Sequence, residues 1–258
     1  MNTIAGSTLT RSLVSLFVIT LFINVGSKDS YAQEKANIVG MWLFEDSGNV
    51  IVDSSRNGHD GKMVGGVKRT DDGKFGKGVW FDGKDGVIDI PDSDSLHLET
   101  FTLMVWFKLE KATGGWQTIF GKQQGGAGHI IEVAAGGFLN TGFGSGWVCT
   151  GKTVITDGKW HHAAFVFNGK VVQLYVDGSL DMETPAGIRP PENAMPLRIG
   201  GSPDIGEMFC GIIDEAAFFN IPLIDKDIQK LMSGLTRLTS VEHAGKSVVT
   251  WGSIKEQY

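Results

Sequence analysis

The chain of 258 residues carries 23 Lys and Arg against 29 Asp and Glu, a net charge of -6. Without a basic stripe it lacks the electrostatic footprint that a phosphate backbone requires, which excludes nucleic acid as a partner. Its 41% hydrophobic content suffices for a sizeable core, and 36 Gly against 7 Pro, with neither a Gly period nor a Pro tract, point to many tight turns.

The first 32 residues differ in kind from the rest. Arg11 precedes the apolar run Leu13–Val25, and Ser30 and Ala32 place small residues just before a cut after Ala32. The run is shorter than the roughly 20 residues that span a bilayer, which predicts a cleavable secretory signal over 1–32, with an uncleaved anchor as the alternative. No later run reaches membrane length, so the mature chain is expected to be secreted or periplasmic, with no membrane span. In an oxidising compartment Cys149 and Cys210 have one possible disulfide, closing a loop of about 60 residues and contributing on the order of 4 kcal/mol. Two buried thiols are the alternative, and the pair is read here as a disulfide.

Beyond the cut, residues 33–235 read as one β-rich domain. Gln33–Asn37 is a linker and Ile38–Phe44 the first strand, ended by Glu45-Asp46. Turn chemistry at Ser47–Asn49 and Ser54–Gly58 brackets a short apolar step, Val50–Val52. Asp60-Gly61, Asp72-Gly73, Asp82-Gly83 and Asp85-Gly86 then punctuate strands such as Gly78–Phe81 and Val87–Ile90 at the spacing of a sandwich. In Phe101–Phe107 both faces are largely apolar, which predicts a central strand with one face on the core and the other covered or concave.

Ile119–Lys122, His129–Val133 and Gly137–Leu139 continue as shorter strands. Trp116 and Trp147 differ from the other tryptophans because they lie in Gly-rich loops, Gly114–Trp116 and Gly144–Trp147. There they either stack on a ligand or fold onto their own loops. Trp42, Trp80, Trp106 and Trp160 lie on strand patterns and are expected to pack in or beside the core. Asn168-Gly169 between two apolar runs predicts a hairpin with a type I′ turn, closed further on by Asp177-Gly178. On that hairpin His161 and His162 point to opposite faces and cannot chelate one ion together.

Pro185–Pro196 holds four of the seven prolines and reads as a loop. Phe209–Phe219 is a long strand, followed by one helix with Asp225 as N-cap, Ile228, Leu231 and Met232 on one face, and Gly234 at its end. Residues 236–258 form a tail in which Lys246–Trp251 is either a strand or a docking segment.

Met41–Glu45, Asp53–Gly58, Gly76–Gly83, Trp160–His162, Leu174–Gly178 and Gly211–Glu215 stand in an order that resembles the laminin G-like, concanavalin A-like jelly-roll domains of exported bacterial proteins, over residues 37–235. The resemblance implies an all-β jelly-roll sandwich of two antiparallel sheets with one short C-terminal helix. It also implies a structural calcium, with Asp53, Asn57 and Asp214 as oxygen ligands and Glu45 as a further one. The alternative for Asp53 and Asn57 is that they bond their own turn backbone. An EF-hand is excluded, because Val64 stands where its bidentate Glu belongs.

The fold hosts lectins, adhesive modules and hydrolases alike. Hydrolases of this fold place acids as Glu-x-Asp-x-x-Glu on one strand, and this chain has no such motif. Asp214-Glu215 and Glu45-Asp46 are adjacent and so face opposite sides of a strand. The expectation is therefore an exported, non-catalytic module that binds a glycan or an extracellular protein through Trp116 and Trp147. The alternatives are a glycan-degrading enzyme or an adhesive envelope protein.

Overall fold

The computed structural model describes residues 34–35, 37–124, 127–143, 148–186, 190, 193–202 and 204–239. The expected signal segment, Trp147 and the strand or docking segment expected at 246–251 lie outside the described residues.

Apolar alternation resolves into strands β1 (Ile38–Trp42), β2 (Val50–Ile51), β3 (Gly61–Val64), β4 (Val67–Thr70), β5 (Gly78–Asp82), β6 (Val87–Ile90) and β7 (Phe101–Leu109). There follow β8 (Gln117–Gln124), β9 (Ala127–Val133), β10 (Phe138–Phe143), β11 (Val148–Val154), β12 (Trp160–Phe167), β13 (Val171–Val176) and β14 (Ser179–Pro185). The last are β15 (Leu197–Ile199), β16 (Gly201–Ser202), β17 (Glu207–Met208) and β18 (Cys210–Phe219), with the helix α1 (Asp225–Leu231) after them.

The first sheet runs β14-β13-β12-β7-β18-β5-β4 and the second β11-β10-β9-β8-β15-β6-β3-β2, all neighbours antiparallel. This is the expected jelly-roll sandwich. β18 is long enough to pair with β7 along one edge and, along the other, with β5 through Cys210–Ile213 and then β1 through Ala216–Phe219. Where β5 gives way to β1 the ladder bulges between Asp214 and Ala217, and Glu215 takes φ 45°.

The core lies between the sheets. Phe101 sits at its centre, with ring centroids of Phe165, Phe218 and Phe167 at 5.0, 5.8 and 5.9 Å. Each fully buried Phe contributes about 1.5–3 kcal/mol. Gly200, at φ +90°, lets β15 pass over this core: a Cβ there would stand 2.0 Å from the Phe81 ring.

The second apolar face of β7 is covered. Met104 joins Ile228, Leu231, Leu235 and Leu238 in a second buried cluster outside the first sheet. Trp106 Nε1 donates to the Met232 carbonyl at 3.0 Å, and Tyr175 Oη donates to Asp225 at 2.7 Å. Asp225 is thus not the N-cap. Ile224 occupies that position without a side-chain cap, and the Asp225 carboxylate is spent on Tyr175. Nor does the domain stop at 235, because the 3-10 turn Leu235–Leu238 buries both its leucines in this cluster.

Two local expectations are corrected. Of Asn168 and Gly169 only Gly169 has positive φ, and the Asn168 side chain instead accepts the N–H groups of Lys170 and Val171. A two-residue turn with both φ positive lies one connection later, at Asp177 (φ 50°) and Gly178 (φ 77°), joining β13 to β14. Cys149 and Cys210 are both free. Cys149 is buried on β11, the outermost strand of the second sheet, against Leu174 and Thr184, whereas Cys210 starts β18 within the first, its N–H donating to Gln117. A reducing agent is therefore expected to leave the melting temperature unchanged, and a drop of several degrees would restore the disulfide.

Candidate functional site

Asp53, 3% exposed, organises the turn that closes β1. Its Oδ1 accepts from Met41 N (3.0 Å), Ser55 N (2.9 Å) and Ser55 Oγ (2.6 Å), and its Oδ2 from Asn57 N and His59 N (both 3.1 Å). Asn57 turns its Nδ2 to the carbonyls of Ile38 and Val39 at 2.8 and 3.1 Å. A calcium ion at Asp53 would have to displace five donors from one carboxylate.

Glu45 and Asp214 lie apart from that turn, at the β5/β1 junction. Glu45 Oε1 accepts the Lys77 N–H at 3.0 Å; Asp214 accepts those of Phe75 and Glu215, both at 2.8 Å. Glu215 accepts the Leu235 N–H, tying the bulge to the helical cover. Burial pushes Asp214 and Glu215 up to about 7, and the charge of Glu45 adds to both. Among the described residues no three His, Cys, Asp or Glu side chains are grouped to hold a metal. The four predicted oxygen ligands thus have other partners: Asp53 holds its turn, Asn57 ties that turn to β1, and Glu45 and Asp214 accept backbone N–H groups of residues 75–77.

His161 and His162 do face opposite ways. His161 lies between Asp177 and Asp157 at 2.9 and 3.0 Å, while His162 packs beside Trp106 with ring centroids 5.3 Å apart. Trp42 is a core residue whose Nε1 donates to the His59 carbonyl at 2.8 Å. Trp80 and Trp160 are half-buried on the outer face of the first sheet rather than in the core.

The outer face of the second sheet carries a polar row that sequence spacing did not reveal. Asn140 on β10 pairs with Glu132 on β9 and Thr150 on β11, so the three side chains point away from the core. Thr150 Oγ1 donates to Asn140 Oδ1 at 2.8 Å and Asn140 Nδ2 to Glu132 Oε1 at 2.7 Å. Thr118 on β8, paired with Glu132, donates to Glu207 of β17 at 3.2 Å, and the Glu132 and Glu207 carboxyls are hydrogen-bonded to each other. Farther along, Arg198 is neutralised by Asp89 and Asp204 at 2.9 and 2.6 Å.

Burial pushes Glu132 up to about 7, and the neighbouring Glu207 adds to the shift. Two carboxyls in direct contact hold a proton between them. Glycoside hydrolysis needs its two acids about 5 to 9.5 Å apart, so this pair has the wrong geometry for it. Only the alternation of Glu132 with Ile131 and Val133 hinted at its outward direction, and nothing in sequence linked it to Glu207. Trp116, 41% exposed, stands at the head of β8, two residues before Thr118, at one end of the row.

The family model of the concanavalin A-like lectin/glucanases superfamily matches residues 82–229. Adhesion G-protein coupled receptor V1 of Danio rerio is 26% identical over 150 residues, 52% of this chain but 2% of the receptor. The binding domain of Paraclostridial Mosquitocidal Protein 1 superposes with TM-score 0.66 at 16% identity, over 77% of this chain and 52% of that one. Domain 4 of AbnA, a GH43 extracellular arabinanase from Geobacillus stearothermophilus in complex with arabinotriose, gives 0.61 at 22%, over 76% of this chain and 98% of that one. Trypanosoma rangeli sialidase in complex with sialic acid gives 0.59 at 16%, with this chain covering 34% of it. At such identities the likeness is one of fold.

Proposed function

The chain belongs to the concanavalin A-like lectin/glucanases superfamily, and from that premise we propose that it is an exported, non-catalytic module that binds a carbohydrate on the outer face of its second sheet. The observation that carries the reading is Trp116, a half-exposed indole at the end of a hydrogen-bonded row of hydroxyl, amide and carboxyl groups. An indole gives a sugar ring a flat apolar face, and Thr150 and Glu207, the members of the row that reach solvent, offer its hydroxyls hydrogen-bonding partners. The hydrogen-bonded contact between Glu132 and Glu207 supports binding over hydrolysis. That domain 4 of the arabinanase, a structure in complex with arabinotriose, has this fold over nearly its whole length is in keeping with a carbohydrate-binding module.

A glycan array tests the reading, run on the full chain with calcium and with chelator. A neutral oligosaccharide is expected to bind equally in both, and Trp116→Ala to weaken it at least tenfold, the loss of about 1.4 kcal/mol or more that an aromatic anchor supplies. Binding indifferent to Trp116→Ala overturns the site. Release of reducing sugar that Glu132→Gln abolishes overturns the non-catalytic reading.

A further inference from the structure

The helical cover leaves one row of the first sheet open. Lys68 on β4 pairs with Trp80 on β5, Trp80 with Ile212 on β18, Ile212 with Lys108 on β7, and Lys108 with Trp160 on β12. Directly paired residues of antiparallel strands share a face, so the five side chains form one line across the outside of the sandwich. Lys68 is exposed, Trp80, Lys108 and Trp160 are half-buried, and Ile212 is buried between them. With strands about 4.8 Å apart, the two indoles stand about 14 Å from each other with a lysine between.

The row is fixed in place. Lys68 Nζ lies 5.6 Å from the centroid of the Trp80 ring, and Trp80 Nε1 donates to Glu110 Oε2 at 2.9 Å. One row over, Lys74 Nζ stands 4.1 Å above Trp106 and adds a third cation. The carboxylates at the margins are engaged: Glu110 by that indole, Asp82 by the N–H groups of its own turn, and Asp157 by Lys159 and His161. Among the described residues neither Lys68 nor Lys108 has a carboxylate within ion-pair distance. On a chain of net charge -6, a line of two indoles and two unpaired lysines is a local reversal of sign.

We propose that this row is a second binding site, on the side of the sandwich opposite the Trp116 face, for an acidic polysaccharide. Sugar rings stack on Trp80 and Trp160, and the carboxylate or sulfate groups between them meet Lys68 and Lys108. An anionic membrane would attract the same charges, but it asks for aromatic side chains that reach into the headgroups. These two are half-buried against a flat sheet, and Trp80 is held there by Glu110.

Titration calorimetry on the full chain tests this with polygalacturonate, its fully methyl-esterified form and phosphatidylserine vesicles. Polygalacturonate is expected to bind, more weakly as salt rises, and the ester at least tenfold more weakly. Trp160→Ala and the double variant Lys68→Ala/Lys108→Ala should each weaken polygalacturonate at least tenfold. Both lysines lie on the surface, so an unchanged melting temperature keeps the double variant interpretable. Trp116→Ala should leave this binding intact, which separates the two faces. Equal binding of the ester, binding untouched by both variants, tighter binding to vesicles, or no binding of polygalacturonate overturns the proposal.

Discussion

Asp53→Ala is expected to lower the unfolding free energy by about 3–5 kcal/mol, read from urea denaturation, because one small side chain leaves five donors without their acceptor. The donors are not equal. Met41 and His59 are buried, and a stranded buried N–H costs about 1–3 kcal/mol, whereas Ser55 and Asn57 sit nearer solvent and recover part of the loss through water. Asn57 then loses its own anchor, and with it the two bonds it makes to the β1 carbonyls. Asp53→Asn, which keeps the shape but one acceptor oxygen, should fall between wild type and Ala. Chelator should not move the wild-type midpoint. If chelator alone reproduced the Ala loss, a cation rather than this hydrogen-bond set would hold the turn.

Asp53 also shows where sequence reasoning runs out. A turn rich in Asp, Asn and Gly looks the same whether its oxygens face an ion or its own N–H groups, because the residue types suit both. What separates them is direction, and direction depends on β1 and the His59 loop meeting over the carboxylate. The sandwich itself was legible because alternation is a local property: Phe101–Phe107, apolar on both faces, could only be central, and it is, with α1 over its second face. Trp160 was expected in or beside the core and lies beside it, because half-burial on an outer face has the same alternation as packing in the core. The type I′ geometry was assigned one turn too early because Asn168-Gly169 and Asp177-Gly178 carry equivalent signals, and strand register alone decides between them. Glu132 and Glu207 were invisible as a pair because their contact depends on how the β16–β17 hairpin lies across β8.

The melting temperature is expected to peak in mildly acidic solution, near pH 5, and to fall on both sides. Asp214, Glu215 and Glu132 are raised by burial to about 7, against about 4 in an unfolded chain. Between those values the folded protein holds protons that the unfolded chain has released, so these groups stabilise fully below pH 4 and progressively less up to pH 7. His129 and His162 work the other way. Burial lowers both to about 3, the charges of Lys122 and His97 adding for His129, while an unfolded histidine titrates near 6.5. They stabilise fully above 6.5 and lose that contribution as pH falls towards 3. Between about 4.5 and 6.5 these three carboxyls, joined by Glu207, which burial also raises, oppose two histidines, so stability rises gently towards acid.

Above pH 6.5 the carboxyls act alone, at up to about 1.4 kcal/mol per unit each, until they ionise near 7. Below 4 the histidines are joined by carboxylates held below the usual range: Asp92, despite burial, by the Lys122 ammonium and His97, Asp82, also despite burial, by the N–H groups of its turn, and Asp157 by Lys159 and His161. Thermal denaturation at pH 3.5, 5 and 8 checks the profile, with the middle value highest. Asp214→Asn replaces one proton-holding carboxyl by a neutral amide of the same shape and should flatten the alkaline fall. His162→Gln should flatten the acid one. A melting temperature that climbs steadily from pH 5 to 8 would mean that the buried carboxyls at the β18 bulge are ionised in the folded protein, and that something opposes the repulsion among Glu45, Asp214 and Glu215.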